Sequence, residues 1–381
     1  MEGKLDKPKD DLMTAAPDRS NVVSNPDTSP QAEIIRSHRA IAVLTEGHST
    51  PFHAKTAMSL IRYREKNISA IIDSSTDSMT AQELFGIGGE IPVVDSVEGI
   101  PNADALYVGI ASRGGKIPLN WRPIFLAAIE QRMDVVSGLH DFVSEDLEFA
   151  TKTMKNGVRL IDVRKNAFKE TASGYDFNKN CVRILTVGQD CSVGKMVTSL
   201  EIQRGLLAGG ANAKFLATGQ TGIMIGGDGT PVDCVVADFI NGAAEDLVKR
   251  NQHHDFVLIE GQGSLSHPSF SAVTVGLLHG CAPNGLIYCY EGGRQQVKGL
   301  DIELPDKLEQ LNAYLSIAKL RQECELIGVA VNTRYQSPDE AAKEIANAKE
   351  TFGVPACDVY REGANPLVEA SIQLRNRLTC S

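Results

Sequence analysis

The sequence predicts an α/β protein built from two doubly wound, mainly parallel-sheet domains, and three observations carry that reading. Short apolar runs of strand length alternate with helix-length stretches along most of the chain. The alternation lapses once, over residues 166–180, where Lys169 and Lys179 stand among Gly, Ser and Asn. Directly after that break, the apolar run Val182–Val187 leads into a glycine-bounded loop, Gly188 to Lys195, and a helical pattern follows. Strand, loop and helix in that order form the setting a phosphate-binding loop requires.

Composition sets the bounds. A chain of 381 residues is long enough for two domains that each bury a core. The formal charge of -10 argues against nucleic acid as a partner. No apolar run is long enough to span a membrane. Residues 1–31, rich in Asp, Lys, Pro and Ser and without an apolar signal core, read as a disordered tail. The eight cysteines form no C-x-x-C pair and fall mostly in apolar segments. That usage suggests a reducing cytoplasm, without a disulfide framework or structural zinc.

Residues 32–165 are expected to form the first domain, a mainly parallel sheet covered on both faces. Its expected strands are Ala40–Leu44, Ile68–Ile72, Ile91–Val94, Ala105–Ile110, Val135–Gly138 and Arg159–Val163. Helical patterns cover Phe52–Glu65, Trp121–Met133 and Ser144–Lys155. Ligands on such sheets sit at the carboxyl ends of the strands. Asp73 stands where a ribose contact or a turn cap would be, yet no G-x-G-x-x-G follows the first strand, which weakens a dinucleotide reading. His48, His53 and His140 share that edge without metal-ligand spacing. Arg113-Gly114-Gly115-Lys116 pairs two cations around two glycines, an arrangement for a carboxylate or phosphate, or for a plain solvated loop.

The second domain, residues 181–381, alternates again. Its strands are expected at Val182–Val187, Lys214–Thr218, Phe256–Ile259, Leu286–Tyr290 and Leu326–Asn332, with Cys357–Tyr360 as an edge. Its helices are expected near 195–208, 234–250, 269–280, 306–322, 338–351 and 366–377. In the loop, Gly188, Gln189, Asp190, Cys191, Ser192, Val193, Gly194, Lys195 and Met196 are the expected phosphate-binding residues. Glycines let successive N–H groups converge on one anion, the helix that follows aims its positive end there, and Lys195 adds a mobile charge. One residue more than in G-x-x-x-x-G-K-[ST] separates the glycines, and Met196 replaces the hydroxyl that would hold Mg²⁺. The segment Thr218–Gly229, with five glycines in twelve residues, reads as a close backbone approach or a mobile lid. Cys191 sits where a helix terminus favours a thiolate.

The pattern G-x-D-x-x-V-G-K resembles dethiobiotin synthetase and its relatives, a branch of the P-loop proteins, which implies a P-loop NTPase-like fold for this domain. Three further segments follow that resemblance. Glu260, ending an apolar strand in Glu260-Gly261-Gln262-Gly263, matches a metal-binding acid, or is a carboxylate paired with Arg or Lys. Lys214 matches a substrate-side lysine, and Asp233 a second metal acid or an ordinary N-cap. Arg294, beyond the fourth strand, is a candidate carboxylate clamp, and Asn332-Thr333 a candidate base contact.

From about residue 35 onward the chain also resembles one particular family. Its marks are Gly188–Lys195, Ala217–Ile225, Asp233–Glu245, Ile259–Pro268 and Ser137–Phe142. This family, long catalogued as of unknown function, joins a Rossmann-like to a P-loop domain, and members act as D-glutamate N-acetyltransferases. The resemblance implies acetyl-CoA as co-substrate, whose phosphates need no Mg²⁺-holding hydroxyl. It places the chemistry among Lys195, Lys214, Glu260 and His267, with Glu260 or His267 as base and Arg113, Arg294 or Lys214 clamping carboxylates. Two other functions stay open. One is an ATP-dependent ligase or kinase holding Mg²⁺ with Asp190, Asp233 and Glu260. The other is a nucleotide-binding regulatory module without catalysis. A homo-oligomer is expected, with partners limited to a small amino acid and a phosphate-bearing co-substrate.

Overall fold

The computed structural model describes residues 30–50, 53–111 and 115–380. The tail expected over 1–31 lies outside these residues except at its end, where Pro30 and Gln31 already open a helix.

The first sheet contains β1 (Ile41–Leu44), β2 (Ile68–Ile72), β3 (Val93–Val94), β4 (Ala105–Val108), β5 (Asp134–Ser137) and β6 (Leu160–Asp162). Their order is β3-β2-β1-β4-β5-β6, and every pairing is parallel. Around it lie α1 (Pro30–Ser37), α2 (Lys55–Arg64), α3 (Ala81–Phe85), α4 (Arg122–Glu130) and α5 (Leu147–Asn156). Covered on both faces, β1, β4 and β5 are buried along their whole length, which is why β1 and β4 read as unbroken apolar runs. The sequence reading lacks α1 and α3. The second is a single short turn, capped where Thr80 accepts the Glu83 amide and stopped by Gly86.

The second sheet contains β7 (Val182–Gly188), β8 (Ala213–Leu216), β9 (Phe256–Ile259), β10 (Gly285–Glu291), β11 (Glu325–Asn332) and β12 (Ala356–Cys357), again all parallel, in the order β12-β11-β10-β7-β9-β8. Its helices are α6 (Lys195–Ala208), α7 (Gln220–Gly226), α8 (Ile240–Lys249), α9 (Ser271–Cys281), α10 (Lys307–Lys319), α11 (Pro338–Phe352) and α12 (Asn365–Thr379). The helix expected from 234 begins only at Ile240, because Val235 and Val236 are held extended. The expected lid is instead largely α7. Gly222 lies within this helix because a methyl there would meet Glu260 Oε2 at 2.5 Å.

The two domains are not loosely tethered. Ile35, Ile61 and Tyr107 share one buried cluster with Leu200, Phe215, Ile223 and Met224. Polar contacts tie the same seam: Thr56 to Thr221 at 2.8 Å, Tyr63 to Glu201 at 2.8 Å, and Arg64 to the Met224 carbonyl at 3.1 Å. Residues 166–180 carry no helix or strand but are strapped to the second domain. Glu245 accepts the amides of Ser173 and Tyr175, and Phe177 is buried. All eight cysteines are free thiols, and no described helix is long and apolar enough to cross a membrane.

Candidate functional site at the domain seam

The loop after β7 turns through two left-handed residues, Ser192 at φ 58° and Gly194 at φ 111°. An L side chain at Gly194 would be strained there, and Ser192 is the kind of unusual backbone that gathers at functional loops. Lys195 opens α6 and is buried, with its ammonium donating to the Asp190 carbonyl at 2.8 Å. Burial lowers its pKa. Asp190 is wholly buried. Its carboxylate accepts the Cys191 amide at 2.6 Å, the Lys298 amide at 2.6 Å and Arg294 at 3.0 Å. The Gln189 carbonyl is held by Ser264, Ser266 and Gln310, and the Gly188 carbonyl by Tyr314. The loop is thus braced from behind by several elements. Burial pushes the Cys191 thiol up, opposite to the thiolate that the helix terminus suggested.

In front of the loop, between the domains, is a cavity of about 400 Å³. Its walls include Lys55, Met58 and Arg164 from the first domain and Ser192, Lys195, Met196, Gln220, Glu260 and Arg334 from the second. A larger cavity of about 490 Å³, near Lys165, Asp228 and Arg250, contains none of the loop. The smaller one is the chemical candidate because it joins the loop to a perturbed acid.

That acid is Glu260, 5% exposed at the end of β9. Desolvation raises its pKa from 4.5 to about 7; the Thr218 and Gly219 amides oppose the shift, Asp233 adds to it, and Lys195 opposes it. The Thr218 amide donates to Oε2 at 3.0 Å and Gln262 to Oε1 at 3.2 Å. Beside it, Arg164 pairs with Asp233 at 3.0 Å and approaches His140 Nε2 at 2.7 Å.

The other expected site residues are scattered. Lys214 lies in the first half of β8, in register with Val257, and does not line the cavity. His267 is also outside the lining, buried against Phe270 with Nδ1 accepting the Ser269 amide. Arg294 is engaged by Asp190 and Glu291. Arg113 lies outside the described residues. Asp73 accepts the Gly47 and Ser75 amides, as a turn cap does. Thr333 is buried on Asp358, whereas Asn332 reaches the cavity. Lys55, Arg164 and Arg334 were not singled out from sequence as site residues. The usable signal for Lys55 was its place at the first helical position after β1, on the ligand side of the sheet.

The donor set does not fit a shared Mg²⁺. Met196 offers no hydroxyl. Asp190 is occupied by Arg294 and two amides, and Asp233 by Arg164. Among the described residues, the donor clusters within 4.8 Å are His140–Asp233–Cys234 and Asp190–Cys191–His267, so Asp190, Asp233 and Glu260 do not gather.

Comparison with known proteins agrees with this layout. Residues 74–166 match a Rossmann-like N-terminal domain of unknown function, DUF1611_N, and residues 170–368 match the corresponding P-loop domain, DUF1611_C. A D-glutamate N-acetyltransferase of Tritonibacter scottomollicae is 40% identical over 271 residues, covering 70% of this chain and 81% of that protein. A protein of the same name from a Pseudoalteromonas species is 39% identical over 270 residues, covering 70% and 80%. The crystal structure of a DUF1611 family protein from Anabaena variabilis superposes with a TM-score of 0.82 at 34% identity, over 88% of this chain and 99% of that one. On these matches the chain belongs to the DUF1611 family and is a homologue of the proteins named D-glutamate N-acetyltransferase.

Proposed function

We propose that the protein transfers the acetyl group of acetyl-CoA to the amino group of D-glutamate or a close analogue, in the cytoplasm. The observation that carries the reading is Glu260, a buried carboxyl with a pKa near 7 in the same cavity as the phosphate loop. An acid of that kind accepts a proton at neutral pH and passes it on. The substrate ammonium loses a proton to Glu260, and the free amine attacks the thioester carbonyl. The carbon–sulfur bond of the tetrahedral intermediate then breaks, the departing thiolate takes up the surplus proton of the attacking nitrogen, and Glu260 returns its own proton to water. The loop amides and Lys195 hold the phosphates of the donor without metal. Arg164 engages Asp233 and His140 through its terminal nitrogens, and its buried Nε–H, which has no hydrogen-bond partner among the described residues, remains for a substrate carboxylate. The homologues' names support the substrate pair.

The test is thiol release from acetyl-CoA in the presence of D-glutamate, with and without EDTA, run beside phosphate release from ATP and Mg²⁺. Release of thiol that EDTA leaves unchanged is the expected result. Phosphate release dependent on Mg²⁺ and D-glutamate, with no thiol formed, would replace the acetyltransferase by an ATP-dependent ligase.

A further inference from the structure

Gln220, the first residue of α7, is 5% exposed and lines the cavity, and its Oε1 has no hydrogen-bond partner among the described residues. A buried carboxamide oxygen without a donor costs free energy, so its place in the wall of a cavity calls for a donor that the ligand brings. The carboxamide rests against the first domain. A methyl at Gly138, just beyond β5, would meet Gln220 Oε1 at 1.9 Å, its Cβ at 2.7 Å and its Cδ at 2.8 Å. The φ of Gly138 is outside the left-handed region, so glycine is needed there for space and not for a turn. That is a physical reason for a glycine in the Ser137–Phe142 segment, which the phosphate loop and Glu260 leave unexplained.

Gln220 follows Gly219, whose amide donates to Glu260, and a methyl on Gly222, two residues later, would meet Glu260 Oε2 at 2.5 Å. The first turn of α7 thus wraps the acid and sets Gln220 close to it. The charged groups of the cavity wall are the cations Lys55, Arg164, Lys195 and Arg334, with Glu260 as the carboxylate. A ligand's carboxylates and phosphates therefore meet donors, whereas an ammonium with three N–H groups needs acceptors. Glu260 can take one N–H, its oxygens already receiving the Thr218 amide and Gln262.

We infer that Gln220 is a specificity-determining residue: its carboxamide oxygen accepts an N–H of the substrate amine beside Glu260, and Gly138 of the first domain leaves the space that sets it there. The site then selects a primary amine over an analogue that carries the same carboxylates without one. The inference rests on an amine being the nucleophile, as proposed above, and does not depend on the acyl donor.

The experiment is calorimetric titration of the full chain, with coenzyme A present and absent, using D-glutamate and separately glutarate, which has the two carboxylates and no amine. The proteins compared are the unaltered chain, Gln220→Met, Gln220→Glu and Gly138→Ala. The unaltered chain is expected to bind D-glutamate more tightly than glutarate. Gln220→Met, close to Gln in volume, should weaken D-glutamate about tenfold or more, the loss of one hydrogen bond to a charged group, and leave glutarate unchanged. Gln220→Glu keeps an acceptor oxygen, ionised or protonated, and should retain most of the D-glutamate affinity. Gly138→Ala displaces the carboxamide without removing it and should weaken D-glutamate in the same selective way. Equal losses for the two ligands in Gln220→Met, no loss for D-glutamate, or equal binding of both by the unaltered chain would overturn the role of Gln220 while leaving the acetyl transfer standing. Failure of the unaltered chain to bind D-glutamate would overturn both.

Discussion

Replacing Glu260 by Gln tests the site through two properties that must move in opposite directions. Gln keeps an oxygen for the Thr218 amide, and its amide group can face Gln262 once that side chain turns over. What it removes is the ionisable group. In the folded protein the carboxyl keeps its proton up to about pH 7, whereas in the unfolded chain it loses it near 4.5. The stability associated with the raised pKa is therefore complete below pH 4.5 and is lost as pH rises through about 7. Over that interval the loss amounts to about 3 kcal/mol, at 1.36 kcal/mol per pH unit. Gln does not titrate, so the variant should gain on the parent by about that amount between pH 4.5 and 8, or about 4 °C in Tm for a chain of this size. Its acetyl transfer should fall about 10²–10⁴-fold, the usual contribution of a general base. In the parent, kcat/KM should decline about tenfold per unit below pH 7. Scanning calorimetry across pH and a thiol-release assay provide the two readouts. Parallel Tm–pH curves for parent and variant, or an acid limb centred near 4.5, would refute the reasoning.

Three further outcomes are expected. Lys195→Ala should weaken binding of a phosphate ligand by about 1.5–3 kcal/mol with the fold intact, and unchanged affinity in calorimetry would reduce the loop to a turn. Arg164→Met should raise the KM for the amino acid without changing that for acetyl-CoA, because it removes a guanidinium on the Glu260 side of the cavity; steady-state kinetics with each substrate varied will separate the two. Gly222→Ala sets a methyl against Glu260, Ala217 and Phe215, so it should cost about 1–3 kcal/mol of stability by overpacking, measured by urea unfolding. It should also displace the acid limb of the rate profile.

The parallel sheets were legible because their strands are buried on both faces. β7 and β10, buried at every position, stand out in the sequence without any alternation to decode. The loop was legible because its chemistry is local, confined to a few consecutive residues. What could not be read depends on partners far away in the chain. Arg294 looks like a clamp until Asp190, 104 residues earlier, is seen to hold it. Lys55 matches no motif, and its position on the loop follows only from how the two sheets meet. The α7 segment misleads by composition. Glycines that suggest mobility serve close packing there, with Gly222 pressed against the acid.

The apolar seam that joins Ile35, Ile61 and Tyr107 to Phe215, Ile223 and Met224 has a consequence for how the site keeps its chemistry. A clam-shell opening would expose these side chains to water, at a cost that grows with the apolar area uncovered. The dryness that raises the Glu260 pKa is therefore established at folding, before any ligand arrives. On the proposed function, readiness for chemistry is a resting property of the fold, closer to a wound spring than to a closing hand.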